Sequence, residues 1–317
     1  MKRILTAVTM AIGLGAASGA AAEPVAIGTL PQGSLGYSIA SGVAQIAAEK
    51  GGINARAVGQ GGSSVFIPAL NNGEIAFATS NTFEAVFAVT GTGNFDGRPN
   101  PNVRVAAFIQ PFAVGFMVAA DSDIQTVTDL KGRDFPVGYA RQGLVKVMQD
   151  AIFAAADMSE DDLRGVPVAN FVEAANLLTQ GEVSGVLLAP GSGVVKRTHA
   201  VRPVRFISIP QGAEANAIIQ DQLPGAFVRR VEPSDRLPEI AEAVDLLGYQ
   251  YAILTHKDVS DDTVYALVKA LYDNKDALVE THGSFRAFTP ADMATQIDGA
   301  PFHPGAVRFY REAGLLD

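Results

Sequence analysis

Short apolar segments alternate with amphipathic segments along most of this chain, and this alternation limits its possible folds more than any other feature. The apolar segments are uninterrupted, which predicts strands buried on both faces of a sheet. The intervening segments carry apolar residues at helical spacing. The pattern therefore predicts an α/β fold with a parallel or mixed sheet and helices on both faces. The predicted strands are Val25–Thr29, Asn54–Val58, Glu74–Thr79, Val103–Ile109, Gly115–Ala120, Phe135–Gly138, Val186–Ala189, Arg205–Ile209 and Tyr249–Thr255.

Polar residues mark where the predicted helices begin. Ser63 or Ser64 is expected to cap one helix, Ser80-Asn81-Thr82 a second, and Asn170, with Glu173 three residues later, a third that ends near Gly181. The other predicted helices are Tyr37–Lys50, Gly143–Asp157 and Ser260–Asn274, the last with Val264, Leu267, Val268 and Leu271 facing inward.

The first 22 residues have the pattern of a secretory signal peptide. Lys2 and Arg3 precede an uncharged run, Ile4–Ala22, that ends in the small residues Ala20-Ala21-Ala22. The pattern predicts cleavage after Ala22 and a periplasmic protein. An uncleaved membrane anchor is the alternative, although Ala, Gly, Ser and Thr make the run only weakly apolar.

Composition excludes several classes of function. The chain has 317 residues, of which 48% are hydrophobic and 18% charged, so it is able to bury a substantial core. It has no cysteine, which excludes thiolate metal sites and cysteine nucleophiles. The formal charge of −9 argues against nucleic-acid binding. We expect a monomer without a cofactor or metal ion.

Motifs of catalysis are incomplete. Gln32-Gly33-Ser34-Leu35-Gly36 lacks the spacing of a nucleophile elbow, and Gly91–Asp96 lacks the last glycine of a dinucleotide fingerprint. The four histidines are scattered, and His303, between Phe302 and Pro304, is interpreted as a packing or capping residue. The sequence thus predicts binding without chemistry.

Turns rich in Gly, Ser, Thr and Asn follow several predicted strands. The carboxyl ends of parallel strands are where open α/β folds bind ligands, and free N–H groups at helix starts favour anions. Arg141 is expected to clamp a ligand carboxylate, and Tyr37 and Phe112 to line the pocket. The predicted ligand-binding residues are Gly33, Ser34, Tyr37, Gly62, Ser63, Ser64, Thr79, Ser80, Asn81, Phe112, Arg141, Gln142 and Pro190.

Several segments resemble the TAXI-type solute receptors of TRAP transporters. The most specific is the ending, Pro301–Gly314, and the resemblance extends over nearly all of the predicted mature chain. Two turns differ from the family pattern, Gln32–Leu35 and Ala140–Gly143. The other segments that carry the resemblance are Ile27-Gly28-Thr29 with Tyr37, Gln60–Ser63, Leu70–Ala76, Asp121–Ile124 through Asp129–Gly132, and Val264–Leu271.

The resemblance implies a two-lobed periplasmic binding protein of type II-like fold, each lobe a mixed sheet flanked by helices. One lobe is expected at residues 23–121 plus 249–317 and the other at 122–248, with the ligand between them. The implied ligand is a small carboxylate such as glutamate or oxoglutarate, and the implied partner is an integral-membrane TRAP permease. Three alternatives remain: a receptor of an ATP-driven importer, a ligand-sensing partner of a membrane signalling protein, and a secreted hydrolase or isomerase.

Overall fold

The computed structural model describes residues 24–317, so the predicted signal peptide lies outside the described residues. The strands are β1 (Val25–Thr29), β2 (Ala55–Gly59), β3 (Phe77–Asn81), β4 (Val103–Ala119), β5 (Asp134–Gly138), β6 (Arg164–Val168), β7 (Gly185–Leu188), β8 (Val204–Phe206), β9 (Phe227–Val231) and β10 (Val244–His256). The helices are α1 (Leu35–Gly51), α2 (Ser63–Asn71), α3 (Thr82–Thr90), α4 (Gly143–Ala155), α5 (Phe171–Gln180), α6 (Gly193–Val201), α7 (Ala213–Gln222), α8 (Asp261–Asp273), α9 (Lys275–Thr281) and α10 (Pro304–Glu312).

Eight of the strands form one mixed sheet in the order β2-β1-β3-β10-β4-β7, with β8 also beside β4 and β9 beside β10. β1 runs parallel to β2 and β3, whereas β10 is antiparallel to β3, β4 and β9. β5 and β6 form a separate parallel pair. The α/β class and the mixed sheet predicted from the sequence are confirmed.

The two long strands β4 and β10 run side by side through the centre of the molecule. The prediction of two strands separated by a turn within 103–120 is wrong, because Val103–Ala119 is a single strand. At Pro111, β4 pairs with β10 on one side only, because β7 joins the other side from Gly115 onward. A proline is tolerated there because it has no N–H to donate to a second strand. β4 and β10 therefore connect the group formed by β1, β2 and β3 to the group formed by β7, β8 and β9.

The predicted helix starts are partly confirmed. Asn81 caps α3, and Asn170 caps α5 by accepting from the N–H groups of Val172 and Glu173. The prediction that Ser63 or Ser64 caps α2 is wrong, because Gly62 is the N-cap and both serines lie inside the first turn. Their hydroxyl groups are consequently not used as caps.

The apolar face predicted for α8 is buried, and the helix packs against α1 and α10. His303 is the N-cap of α10, where its ring accepts from the N–H of Gly305, as the capping interpretation predicted. Within the described residues, none of the helices combines the length and the apolar character needed to cross a bilayer. Elements for which the sequence predicted no strand or helix are β6, β9, α6, α7, α9 and α10.

Candidate functional site

A largely enclosed cavity of about 90 Å³ lies at the middle of β4 and β10. One water molecule needs about 10–15 Å³ of such a cavity, so this one has room for several water-sized groups and suits a small molecule. Helices α1 to α6 all begin at this cavity, each with its N-cap or first residue in the wall. These residues are Ser34, Ser63, Asn81, Gln142, Phe171 and Ser192.

The six helix starts differ in how their N–H groups are satisfied. Ser34, Asn81 and Ser192 each accept a hydrogen bond from an N–H of their own helix. α2 and α4 begin at Gly62 and Gln142 without a side-chain cap. Because the first N–H groups of a helix have no partner within it, α2 and α4 present donors and the positive end of the helix dipole at the cavity.

The side-chain amide of Gln142 is a buried donor without a partner. Its Oε1 accepts a 2.8 Å hydrogen bond from the N–H of Phe171, and this bond fixes the orientation of the amide, since an N–H needs an oxygen. Nε2 is buried, and no partner for it is found among the described residues. A buried donor left unpaired is costly, and a ligand oxygen in the cavity would satisfy it.

Glu84, in the first turn of α3, brings a buried carboxyl group to the cavity wall. Its Oε2 accepts from the hydroxyl of Ser80 at 2.8 Å, and its Oε1 accepts from Nδ2 of Asn94 at 2.9 Å. Burial raises the pKa of Glu84, and the hydrogen bonds from Ser63, Ser80 and Asn94 offset that shift only in part. No Lys, Arg or His is found among the described residues that line this cavity.

Aromatic rings form the floor of the cavity. Phe112 on β4 stacks on Tyr249 and Tyr251 of β10, with ring centroids 5.3 and 5.0 Å apart. Burial raises the pKa of both tyrosines, so their hydroxyl groups stay protonated at neutral pH. The aliphatic part of the wall consists of Leu30, Leu35, Val114, Leu144, Val145, Met148, Leu187, Leu188 and Ala189.

Direct contacts close the cavity between the two groups of elements. The carbonyl of Gly33 accepts a 3.2 Å hydrogen bond from the N–H of Val194. Gly62 packs so tightly on the loop before α4 that a Cβ there would overlap the carbonyl oxygen of Arg141. The two groups of elements thus touch each other directly beside the cavity.

A family model described as the NMT1-like family matches residues 27–314. The chain belongs to the NMT1-like family. The match includes all six helix starts at the cavity and both long strands.

Solved structures show the fold of this NMT1-like chain. The alkanesulfonate-binding protein SsuA from Xanthomonas axonopodis pv. citri, bound to MOPS, is 14% identical with a TM-score of 0.53, covering 94% of this chain and 96% of its own. The ligand-binding component of an ABC-type import system from Staphylococcus aureus, with zinc bound, is 10% identical with a TM-score of 0.53, covering 92% of each chain. A protein described as a periplasmic transporter is 14% identical with a TM-score of 0.57, again covering 92% of each. The chain therefore has the two-lobed fold of periplasmic solute-binding proteins.

The structure brings together about half of the residues predicted for the site. The cavity is lined by Ser34, Ser63, Thr79, Ser80, Asn81, Phe112 and Gln142. Gly33 and Gly62 lie behind this wall and make the closing contacts. Tyr37 and Ser64 lie outside the cavity wall: the ring of Tyr37 packs against Gly59, and Ser64 lies beside Gly143. Pro190 lines a separate surface groove.

Arg141 is not part of the cavity wall. Its side chain is exposed and lies along Gly61. The turn before α4 directs the next residue, Gln142, into the cavity instead, where it is almost fully buried. A contact between Arg141 and a ligand stays a prediction.

Sequence reasoning missed Glu84, Ser192, Tyr249 and Tyr251 as wall residues. A signal for Glu84 was present, because it is the one charged residue in α3, a helix of otherwise apolar and Thr residues. A helix this apolar is expected to be buried on most sides. A single carboxyl group within it is then expected to be buried as well, which is typical of a functional residue. Among residues 24–317, no group of three or more His, Asp or Glu side chains is arranged to hold a metal ion.

Proposed function

We propose that this protein is an exported receptor that binds a small organic acid and delivers it unchanged to a TRAP-type permease in the membrane. The observation that carries the proposal is the unpaired, buried amide of Gln142 at a cavity where six helices begin. N–H donors and helix dipoles at a closed site favour a carboxylate without any cationic side chain.

Hinge closure is the proposed mechanism. The proposed lobes are residues 23–121 with 249–317, and residues 122–248. The chain leaves the first lobe just after β4 and returns to it within β10. In the closed form the carbonyl of Gly33 accepts a hydrogen bond from the N–H of Val194 in the other proposed lobe, so ligand entry requires this contact to open. Closure then surrounds the ligand and offers the permease a distinct shape.

The class of permease is the second part of the proposal. The TAXI-like ending, Pro301–Gly314, forms α10 and the segment beside it, which supports a TRAP partner. The fold is also that of the binding component of an ABC-type import system, so an ATP-driven importer is the second candidate. Uptake that stops when the ion gradient is dissipated, and continues when ATP is depleted, supports the TRAP partner; the reverse supports the second candidate.

Ligand binding tests the receptor function directly. A thermal-shift panel of monocarboxylates, dicarboxylates, amino acids and sugars is measured on the purified protein. A ligand at one hundred times its Kd adds about 2.7 kcal/mol to the free energy of unfolding. We expect shifts from acids, recovered unaltered. Shifts from sugars alone would contradict the acid site, turnover would indicate an enzyme, and uptake that survives deletion of the gene would indicate a sensor.

The neighbouring residues Gln142 and Arg141 provide a matched pair of variants. Gln142→Glu keeps the oxygen that accepts from Phe171 but replaces the amide donor with a carboxylate oxygen. A hydrogen bond to a charged group contributes about 1.5–3 kcal/mol, so acid binding should weaken about tenfold or more. Arg141 is exposed and lies outside the cavity wall, so Arg141→Ala should change Kd less than about threefold. The opposite ranking in calorimetric titrations would move the acid site to Arg141.

A further inference from the structure

We infer that the ligand is an α-amino acid with a short aliphatic side chain, whose ammonium group pairs with Glu84 while its carboxylate meets Gln142. This inference rests on the proposed acid receptor and narrows its substrate class. It differs from a dicarboxylate ligand, which would place a second negative charge near Glu84.

The argument begins with the charge on Glu84. This carboxyl group is almost fully buried, and the side-chain groups that donate to it, on Ser63, Ser80 and Asn94, are all neutral. A buried carboxylate without a cation is strongly unfavourable, so it needs either a proton or a positive partner. No cationic side chain of the described residues lines the cavity, so the ionised form of Glu84 needs a positive partner from the ligand.

An ammonium group suits the surroundings of Glu84. It carries three donors, and the carboxylate and the serine hydroxyl groups beside it are all able to accept. Tyr249 and Tyr251, the titratable side chains that face Glu84 from β10, are held neutral by burial and do not compete as charges. The stacked ring of Phe112 next to them adds an apolar surface that excludes water from the pair.

The second charged group of an amino acid meets the start of α2 and α4. Ser63, the first residue of α2, hydrogen-bonds Glu84, while the preceding residue, Gly62, packs against the side chain of Gln142. Glu84 and Gln142 therefore both lie beside the start of α2. An α-amino acid carries its ammonium and carboxylate on a single carbon, which matches this close placement of acceptor and donor.

The remaining wall determines the side chain. Apart from its polar groups and aromatic rings the wall is aliphatic, with Leu144, Met148, Leu187 and Leu188 among its members, and the cavity volume of about 90 Å³ is small. Apolar surface in contact with a ligand's hydrocarbon stabilises the complex, whereas a second charge there would lose its hydration. Side chains of the size of those of valine or leucine fit these conditions.

Calorimetric titration with matched compounds tests the inference on the unmodified protein. L-valine and L-leucine are compared with the 2-hydroxy and 2-oxo acids of the same carbon skeletons and with succinate and oxoglutarate. We expect an amino acid to bind at least about tenfold more tightly than its hydroxy and oxo counterparts, because only it supplies a cation to Glu84.

The same titrations on the Glu84→Gln variant are the second arm of the experiment. A glutamine is accommodated because its oxygen still accepts from Asn94, while its NH₂ donates to a serine hydroxyl, which is also an acceptor. The variant should lose the preference for the amino acid over the hydroxy acid of the same skeleton. If it does not fold, the comparison on the unmodified protein decides alone.

The outcomes separate the two proposals. A hydroxy, oxo or dicarboxylic acid that binds as tightly as the amino acids overturns the ammonium pairing and leaves the acid receptor standing. Tight binding of the amino acids with an unchanged preference in Glu84→Gln also overturns the pairing. Binding by none of these compounds overturns the ammonium pairing, and the thermal-shift panel then decides on the acid receptor.

Discussion

At the residue scale, the turn before α4 shows how one position decides a site. Arg141 and Gln142 are adjacent, and both are polar residues at a helix start. The backbone places Gln142 in the cavity and Arg141 in solvent. Sequence could identify the turn and its residue types. It could not fix which side chain points inward, because that depends on the φ and ψ angles of a turn held by tertiary contacts.

Glu84 gives a residue-scale prediction for the ligand-free protein. Since its folded pKa is raised above the ordinary value of 4.5, the folded state holds the proton more strongly than the unfolded state. Below about pH 4.5 Glu84 is protonated in both states and does not lower the free energy of unfolding. As pH rises through the folded pKa, ionisation of the buried carboxyl group lowers the free energy of unfolding. Glu84→Gln should raise the free energy of unfolding above that point, and the gain should vanish in acid.

Urea unfolding between pH 4.5 and 8 without ligand measures this difference. Glu173→Gln is the control, because Glu173 also lies in the first turn of a helix but is exposed. It should show no gain at any pH. A Glu84→Gln variant less stable than the parent at pH 8 would contradict the penalty assigned to the buried carboxyl group.

Gly36 gives a second residue-scale prediction. A Cβ at this position of α1 would lie 2.5 Å from the hydroxyl of Tyr251, which lines the cavity floor. Gly36→Ala should therefore displace Tyr251, cost about 1–3 kcal/mol through overpacking, and weaken ligand binding. Gly51→Ala, at the other end of the same helix, meets its nearest neighbour at 3.3 Å and should leave binding unchanged. Denaturation and titration of both variants check this, and equal effects would contradict it.

At the element scale, the predicted helix starts succeeded where a side chain and backbone interact locally. Asn81 and Asn170 cap their helices because the bond spans only two or three residues. The prediction failed at α2, where Gly62 caps and the serines enter the helix. That choice depends on the loop before α4, which is distant in sequence and leaves no room for a side chain at Gly62.

Strand prediction followed burial. β1 and β10 were predicted because their apolar residues are buried on both faces. β6 was not, because Arg164-Gly165-Val166-Pro167-Val168 pairs only with β5 and buries just Val168. An edge strand of this kind has no apolar pattern to detect. The gap between the predicted strands Val103–Ile109 and Gly115–Ala120 contains Pro111, which β4 accommodates where it lacks a second neighbour.

The cap of α5 gives an element-scale prediction. Asn170 Oδ1 accepts from Val172 at 2.9 Å and Glu173 at 3.0 Å. Asn170→Ala should lower the free energy of unfolding by about 1 kcal/mol, whereas Asn170→Asp keeps the acceptor and should be nearly neutral. Chemical denaturation distinguishes them, and equal losses would mean that the cap contributes little.

At the scale of the whole molecule, a substitution at Gly62 tests whether the two sides of the cavity close on a ligand. Gly62 has a φ of 164°, an extended conformation that any residue adopts, so alanine meets no local strain. Its Cβ would nevertheless overlap the Arg141 carbonyl in the closed form. Gly62→Ala should therefore fold normally but favour an open form, with weaker ligand binding and a larger radius of gyration by small-angle scattering.

The adjacent glycine is the control for closure. A Cβ at Gly61 would approach only the flexible side chain of Arg141, at 3.3 Å, which can move aside. Gly61→Ala should thus retain the parent's affinity and its radius of gyration. If both variants bind and scatter like the parent, the contact at Gly62 does not control closure.

The paired course of β4 and β10 has a mechanical consequence. These strands of 17 and 13 residues are hydrogen-bonded to each other along most of their length, with irregularities in the pairing near Tyr251 and Ile253. A ribbon of this kind resists sliding and stretching but yields to twisting and bending. Rotation between the two sides would then follow a narrow arc about this ribbon. The mouth of the cavity would reopen along the same path each time, so that one geometry serves both capture and release.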